Sequence, residues 1–72
     1  MIIEEIGKNA GIVWRTLNNN QQDMSLQELS AATRLSPIEL GAAIGWLARE
    51  NKISINKTEE DYLLNVFQEY YF

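Results

Sequence analysis

Apolar residues recur along the first part of the chain at helical spacing. Ile3, Ile6, Ala10, Val13, Trp14 and Leu17 follow i, i+3, i+4, i+7 steps and form one stripe. Glu4, Lys8 and Arg15 fall on the opposite face, and Glu4 precedes Lys8 by four residues, the favourable order for an intrahelical pair. The pattern predicts an amphipathic helix over 2–18. Asn18-Asn19-Asn20 closes it, since asparagine tolerates the left-handed conformation of a helix end. Beyond the polar Gln21-Gln22-Asp23, the apolar positions Leu26, Leu29 and Ala32 mark a short second helix over about 25–34. Leu40, Ala43, Ile44 and Leu47 mark a third over about 36–50. After Asn51 the period changes from helical to two. Ile53 and Ile55 alternate with Ser54 and Asn56; Tyr62, Leu64 and Val66 alternate again, with Leu63 and Phe67 on the other face. These runs flank the polar Lys57-Thr58-Glu59-Glu60-Asp61 and predict a β-hairpin over about 52–67. A two-stranded hairpin is marginal alone, so it must pack on the helices.

Two capping boxes fix where the second and third helices begin. They are Ser25-Leu26-Gln27-Glu28 and Ser36-Pro37-Ile38-Glu39. In each, the Ser hydroxyl accepts from the backbone N–H three residues on, and the Glu reaches back to the Ser N–H. Met24 with Leu29, and Leu35 with Leu40, supply a hydrophobic staple to each box. Pro37 stands at the first helical position, where a missing N–H costs nothing. The boxes are eleven residues apart, which leaves room for a short helix and a tight turn. That is the spacing of a helix-turn-helix.

Helix, helix, helix, hairpin is the order of an α+β domain, and the chain resembles a three-helix winged helix-turn-helix with a C-terminal two-stranded wing. More closely, it is similar to a small uncharacterised winged-helix family of bacteria and archaea. The residues that carry the likeness are Gly11-Ile12-Val13-Trp14-Arg15-Thr16-Leu17, Ser25-Leu26-Gln27-Glu28-Leu29, Leu35-Ser36, and Gly45-Trp46-Leu47-Ala48-Arg49-Glu50 leading into Lys52-Ile53. The resemblance spans nearly the whole of 1–72, read as one domain. It implies DNA binding and transcription regulation through the third helix and the wing, or a protein-interaction role.

The residues themselves argue against the first of these. A major-groove reading helix presents donors and acceptors to base edges. With Leu40, Ile44 and Leu47 inward, the third helix turns Ile38, Ala42, Gly45 and Arg49 outward, with Glu39 and Trp46 on one flank and Gly41 on the other. One Arg is the only strong donor among them. Six Lys and Arg face ten Asp and Glu, a net charge of −4, whereas DNA binding is driven largely by neutralising phosphate. Arg34, Arg49, Lys52 and Lys57 are the cations that a nucleic acid would use. Glu59, Glu60 and Asp61 sit in the wing turn, where they would meet the backbone.

A protein interface is the other use of the same face, and the fold resemblance and the residues leave the two readings nearly level. Ile38, Ala42, Gly45 and Trp46 are the candidates there, joined by the aromatic Tyr70, Tyr71 and Phe72, which pack either on the first helix of their own chain or on a partner. Trp46 either folds against the wing, near Tyr62 or Leu64, or stands out as an anchor. Gly41 with Gly45, and Gly7 with Gly11, are each four apart. The simpler reading is that these glycines permit close packing inside the monomer, because an interior helical Gly costs about 1 kcal/mol and usually has a packing reason. Seventy-two residues support a core worth only about 3–5 kcal/mol, so a homodimer is expected.

Composition narrows the chemistry. The chain has no Cys and no His, which removes thiolate ligands, disulfides and the commonest general base. Glu59-Glu60-Asp61 do not converge on one point in an extended turn, and nothing has the spacing of a calcium loop or a Gly-rich phosphate loop. No catalytic set, metal or cofactor is expected. No apolar run approaches the roughly 18 residues of a membrane span. The acidic start, Met1-Ile2-Ile3-Glu4-Glu5, is unlike a secretory leader, so the expected location is cytoplasmic.

Overall fold

The computed structural model describes residues 2–20 and 22–66. Three helices and three strands follow in the order α1 (Ile3–Asn20), β1 (Met24–Ser25), α2 (Leu26–Thr33), α3 (Pro37–Arg49), β2 (Ile53–Lys57) and β3 (Tyr62–Val66). The strands form one antiparallel sheet in the order β1-β3-β2. Ile53 lies opposite Val66 and Lys57 opposite Tyr62, while Met24 and Ser25 lie opposite Leu64 and Leu63. The sheet therefore has a third strand beyond the predicted hairpin. β1 is two residues long, too short to show a period, and its Ser25 is also the N-cap of α2.

Both capping boxes form. Ser25 Oγ accepts from the Glu28 N–H at 3.0 Å, and the Ser25 N–H donates to Glu28 Oε1 at 2.9 Å. Ser36 Oγ accepts from the Glu39 N–H at 3.2 Å, and the Ser36 N–H donates to Glu39 Oε1 at 2.9 Å. Between the two helices the chain turns at Arg34, which takes the left-handed conformation (φ 60°) and donates its N–H to the Ser30 carbonyl. A second left-handed residue, Asn51 (φ 57°), ends α3, and the Asn51 and Lys52 N–H groups donate to the carbonyls of Ala48 and Leu47. These two residues provide the sharp exits that lead into α3 and β2.

The core joins every element. Ala10, Val13 and Leu17 of α1 meet Leu29 of α2, Leu40, Ala43 and Leu47 of α3, and Met24, Ile53 and Leu64 of the sheet. Trp14, Leu26, Leu35, Ile44 and Val66 pack around it. All four staple residues thus belong to the core or pack on it.

Several positions differ from the pattern. The first helix runs on to Asn20, and none of its three closing Asn takes a positive φ. Ile3 belongs to the predicted stripe but is 72% exposed. At 1.5 Å per residue α1 is about 27 Å long against about 20 Å for α3, so its first turn overhangs the partner that buries the rest. Ala32 is exposed as well, because the half-buried Thr33 takes the inward place and its hydroxyl donates to the Leu29 carbonyl. Asn9 is buried among the apolar residues of α1, a position the stripe did not include. Phe67, Tyr70, Tyr71 and Phe72 lie outside the described residues.

Candidate functional site

The outward face of α3 is built by what the core takes away from it. Burying Leu40, Ala43 and Leu47 leaves Ile38, Gly41, Gly45 and Arg49 exposed, with Ala42 half-buried. Ile38 is 72% exposed, a high value for a large apolar side chain. Among the described residues, a Cβ added at Gly41 or Gly45 would meet no atom within 4 Å outside its own helix backbone. The packing of the described residues therefore gives no reason for glycine at either position, against the expectation drawn from their spacing. Glu39 does not contribute a free carboxylate to this face. Hydrogen bonding by the Ser36 N–H, and then by its hydroxyl, holds the Glu39 carboxyl below its usual value of 4.5 and ties it into the cap.

The wing turn closes one end of the face. The Thr58 N–H and hydroxyl both donate to the Asp61 carbonyl at 2.7 Å, and the Asp61 N–H donates to Thr58 Oγ1. Asp61 Oδ1 accepts from the Tyr62 N–H, while Oδ2 accepts from the Gln27 N–H at 3.3 Å. Gln27 is the second residue of α2, so Asp61 caps a free donor next to the one that Ser25 caps. A carboxylate is also favoured there by the helix dipole. Asp61 is thus half-buried in a structural bond and not a freely solvated turn acid; Glu59 and Glu60 remain exposed. The bond tethers the wing tip to the start of α2 instead of leaving it to project. A hollow of about 620 Å³ lies between α2, the start of α3 and this turn. Leu26, Pro37, Leu40 and Gly41 give it an apolar lining, and its ionisable lining residues are Glu60 and Asp61. Negative charge therefore stands between the wing and the third helix, where a nucleic acid would bring its phosphates. The spacing Thr58-x-x-Asp61 was the only trace of this tether in the sequence.

The four candidate cations are spread over the molecule. Arg34 forms the turn before α3 and Arg49 ends that helix, about 20 Å away at 1.5 Å per residue. Lys52 and Lys57 stand at opposite ends of β2, about 17 Å apart at strand spacing. All four are exposed.

Of the two positions expected for it, Trp46 does not take the one against the wing and stays exposed. Its indole lies across Gly7 of α1, where an added Cβ would stand 3.7 Å from Cζ2, and the residue stays 38% exposed. Trp46 faces α1 and not the wing because α1 and α3 form the most extensive pairing of elements in the molecule. Its ring and that of Trp14 line a groove between the two helices.

Three helices, a helix-turn-helix with two capped starts, and a short wing paired to a strand before α2 now stand together. A family model described as a winged helix-turn-helix domain (DUF2582) matches residues 1–66. The chain belongs to this family. It is also similar to BT2368 of Bacteroides thetaiotaomicron, solved in solution by NMR, at 36% identity and a TM-score of 0.77, over 92% of this chain and 79% of that one. No curated protein matches the sequence. The family and the neighbour establish an α+β winged helix. Among the described residues no group of three acidic side chains gathers as a metal site, and no helix is long and apolar enough to cross a membrane.

Proposed function

We propose that this DUF2582 chain is a non-enzymatic protein-interaction module that pairs with a second copy of itself through the outward face of α3. One observation carries the reading. Ile38, Gly41 and Gly45 present an uncharged, exposed surface in which two helical glycines have open space beside them. Each glycine weakens the helix by about 1 kcal/mol, and a close-approaching helix is what such positions accommodate. Two copies could meet along the Ile38, Gly41 and Gly45 part of this face, which carries no charge of its own, although Arg49 stands at its end and each copy carries −4 overall. A second interface would supplement the small core.

Family membership favours the other reading, a DNA-binding or transcription-regulatory module using Arg34, Arg49, Lys52 and Lys57 as phosphate contacts. Two measurements separate them. Sedimentation from about 10 μM to about 1 mM, a range that covers weak dimers, is expected to show a dimer that Ile38→Glu with Gly45→Glu converts to monomer. A monomer throughout overturns the proposal. Titration with mixed-sequence duplex at low salt is expected to move no amide resonances. Shifts localised on Arg34, Arg49 and Lys57 would establish the DNA reading.

A further inference from the structure

α3 carries two charged residues, and they stand at opposite ends of it. Glu39 is in the first turn and Arg49 is the last residue, with no charge from Leu40 to Ala48. The wing adds to the first end, where Glu60 and Asp61 line the hollow beside Pro37 and Gly41 and outnumber Arg34 of the turn. At the other end Lys52 adds to Arg49, against Glu50. The outward face is therefore acidic on balance where α3 starts and basic where it ends. Glu39 is also held in place, since its Oε1 accepts from the Ser36 N–H at 2.9 Å. A carboxylate fixed in that way is a preorganised partner for a guanidinium.

A second copy of α3 runs either parallel or antiparallel to the first. In a parallel pair Glu39 meets Glu39, Arg49 meets Arg49, and the helix dipoles lie like end to like end. In an antiparallel pair each acidic end meets a basic one. The glycines fix the register. Gly41 and Gly45 lie two residues to either side of Ala43, so a twofold axis at the level of Ala43 sets Gly41 of each copy against Gly45 of the other. Among the described residues neither glycine has an atom beside it for a Cβ to meet outside its own helix backbone, so two backbones are free to come close there. In the same register Arg49 of the second copy falls level with Pro37, about 3 Å along the axis from Glu39. Helical side chains lean toward the N-terminus of their own helix, which tilts these two toward each other. Ile38, 72% exposed, is covered in the same contact. A twofold pair makes every contact twice, so two Arg49–Glu39 pairs offset the repulsion between copies that each carry −4.

We infer, on the basis of the α3 self-pairing proposed above, that the two α3 helices run antiparallel, with Gly41 against Gly45 and Arg49 of each copy paired with Glu39 of the other. The chain has no Cys, so single cysteines report the direction. Full chains carrying Gly41→Cys or Gly45→Cys, each checked for helix content by circular dichroism, are oxidised with diamide separately and as an equal mixture. The antiparallel register brings position 41 of one chain to position 45 of the other, within the roughly 4.4–6.8 Å between Cα atoms that a disulfide bridges. The mixture is expected to cross-link at least about tenfold faster than either chain alone. The product is expected to join the two variants, as mass spectrometry shows when one of them is isotope-labelled. Faster cross-linking of either chain with itself overturns the inference and leaves the α3 pairing standing. So does a dimer in sedimentation that no combination of the cysteines cross-links. A second measurement reads the charges. Arg49→Glu is expected to raise the dimer dissociation constant about tenfold. Glu39→Gln keeps the capping box, in which Gln also serves, and in its background Arg49→Glu is expected to raise the constant only about twofold. An equal effect in both backgrounds overturns the inference. A monomer at every concentration overturns it together with the self-pairing reading, so sedimentation tells the two failures apart.

Discussion

Ser36 and Glu39 exchange two hydrogen bonds across the first turn of α3, and that exchange makes one carboxylate responsible for part of the acid stability. The Glu39 carboxyl lies below its usual value in the folded protein, because the Ser36 N–H and hydroxyl favour its charged form. A depressed folded value means that the contribution is present above the unfolded value of 4.5 and is lost as pH falls through the lower folded one. Urea midpoints measured from about pH 6 down to about pH 3 should therefore fall less steeply in Glu39→Gln than in the parent chain. An equal slope would show that the box adds nothing in acid. The boxes were legible in the sequence because the Ser and the Glu of each lie three residues apart. Asp61 was not, because its capping partner Gln27 is 34 residues away and only the β1–β3 pairing brings them together.

At the scale of the element, α3 divides into a buried stripe that the helical period predicted and an outer face that the described residues leave uncovered. Gly41 and Gly45 stand on that face with helical φ and free space. Replacing Gly by Ala there removes unfolded-chain entropy without a clash, so Gly41→Ala and Gly45→Ala should each stabilise the monomer by about 0.5–1 kcal/mol in urea titrations. The same changes should weaken self-association measured by sedimentation. Loss of stability instead would mean that a close neighbour occupies the face. Spacing alone could not settle this point, because four-residue glycine spacing is the same whether the neighbour is in the same chain or another. Gly7 shows the contrast, since the Trp46 ring lies beside it at ordinary contact distance.

For the whole molecule, one small core ties α1, α2, α3 and the sheet together, and among the described residues no element has a second one to fall back on. Leu17 is fully buried at its centre. Leu17→Ala removes buried volume at a cost of about 2–5 kcal/mol, comparable to the roughly 3–5 kcal/mol that a core of this size provides. The variant should lose most of its helical circular dichroism at 25 °C without denaturant. A midpoint close to that of the parent would mean that dimerisation contributes most of the stability.

By itself the sequence determined most of what is local in this protein. Capping boxes, apolar periods and a polar turn act over a few residues, so they placed both helix starts, the buried stripes of α1 and α3, and the hairpin. The tertiary structure decided what depends on distant partners. It added β1 to the sheet, tethered the wing through Asp61 to α2, turned Trp46 onto α1, exposed Ile3 and Ala32, and left Gly41 and Gly45 without a neighbour among the described residues. Each of these outcomes depends on which surfaces meet, and a local period states only that a face is apolar, not what will cover it.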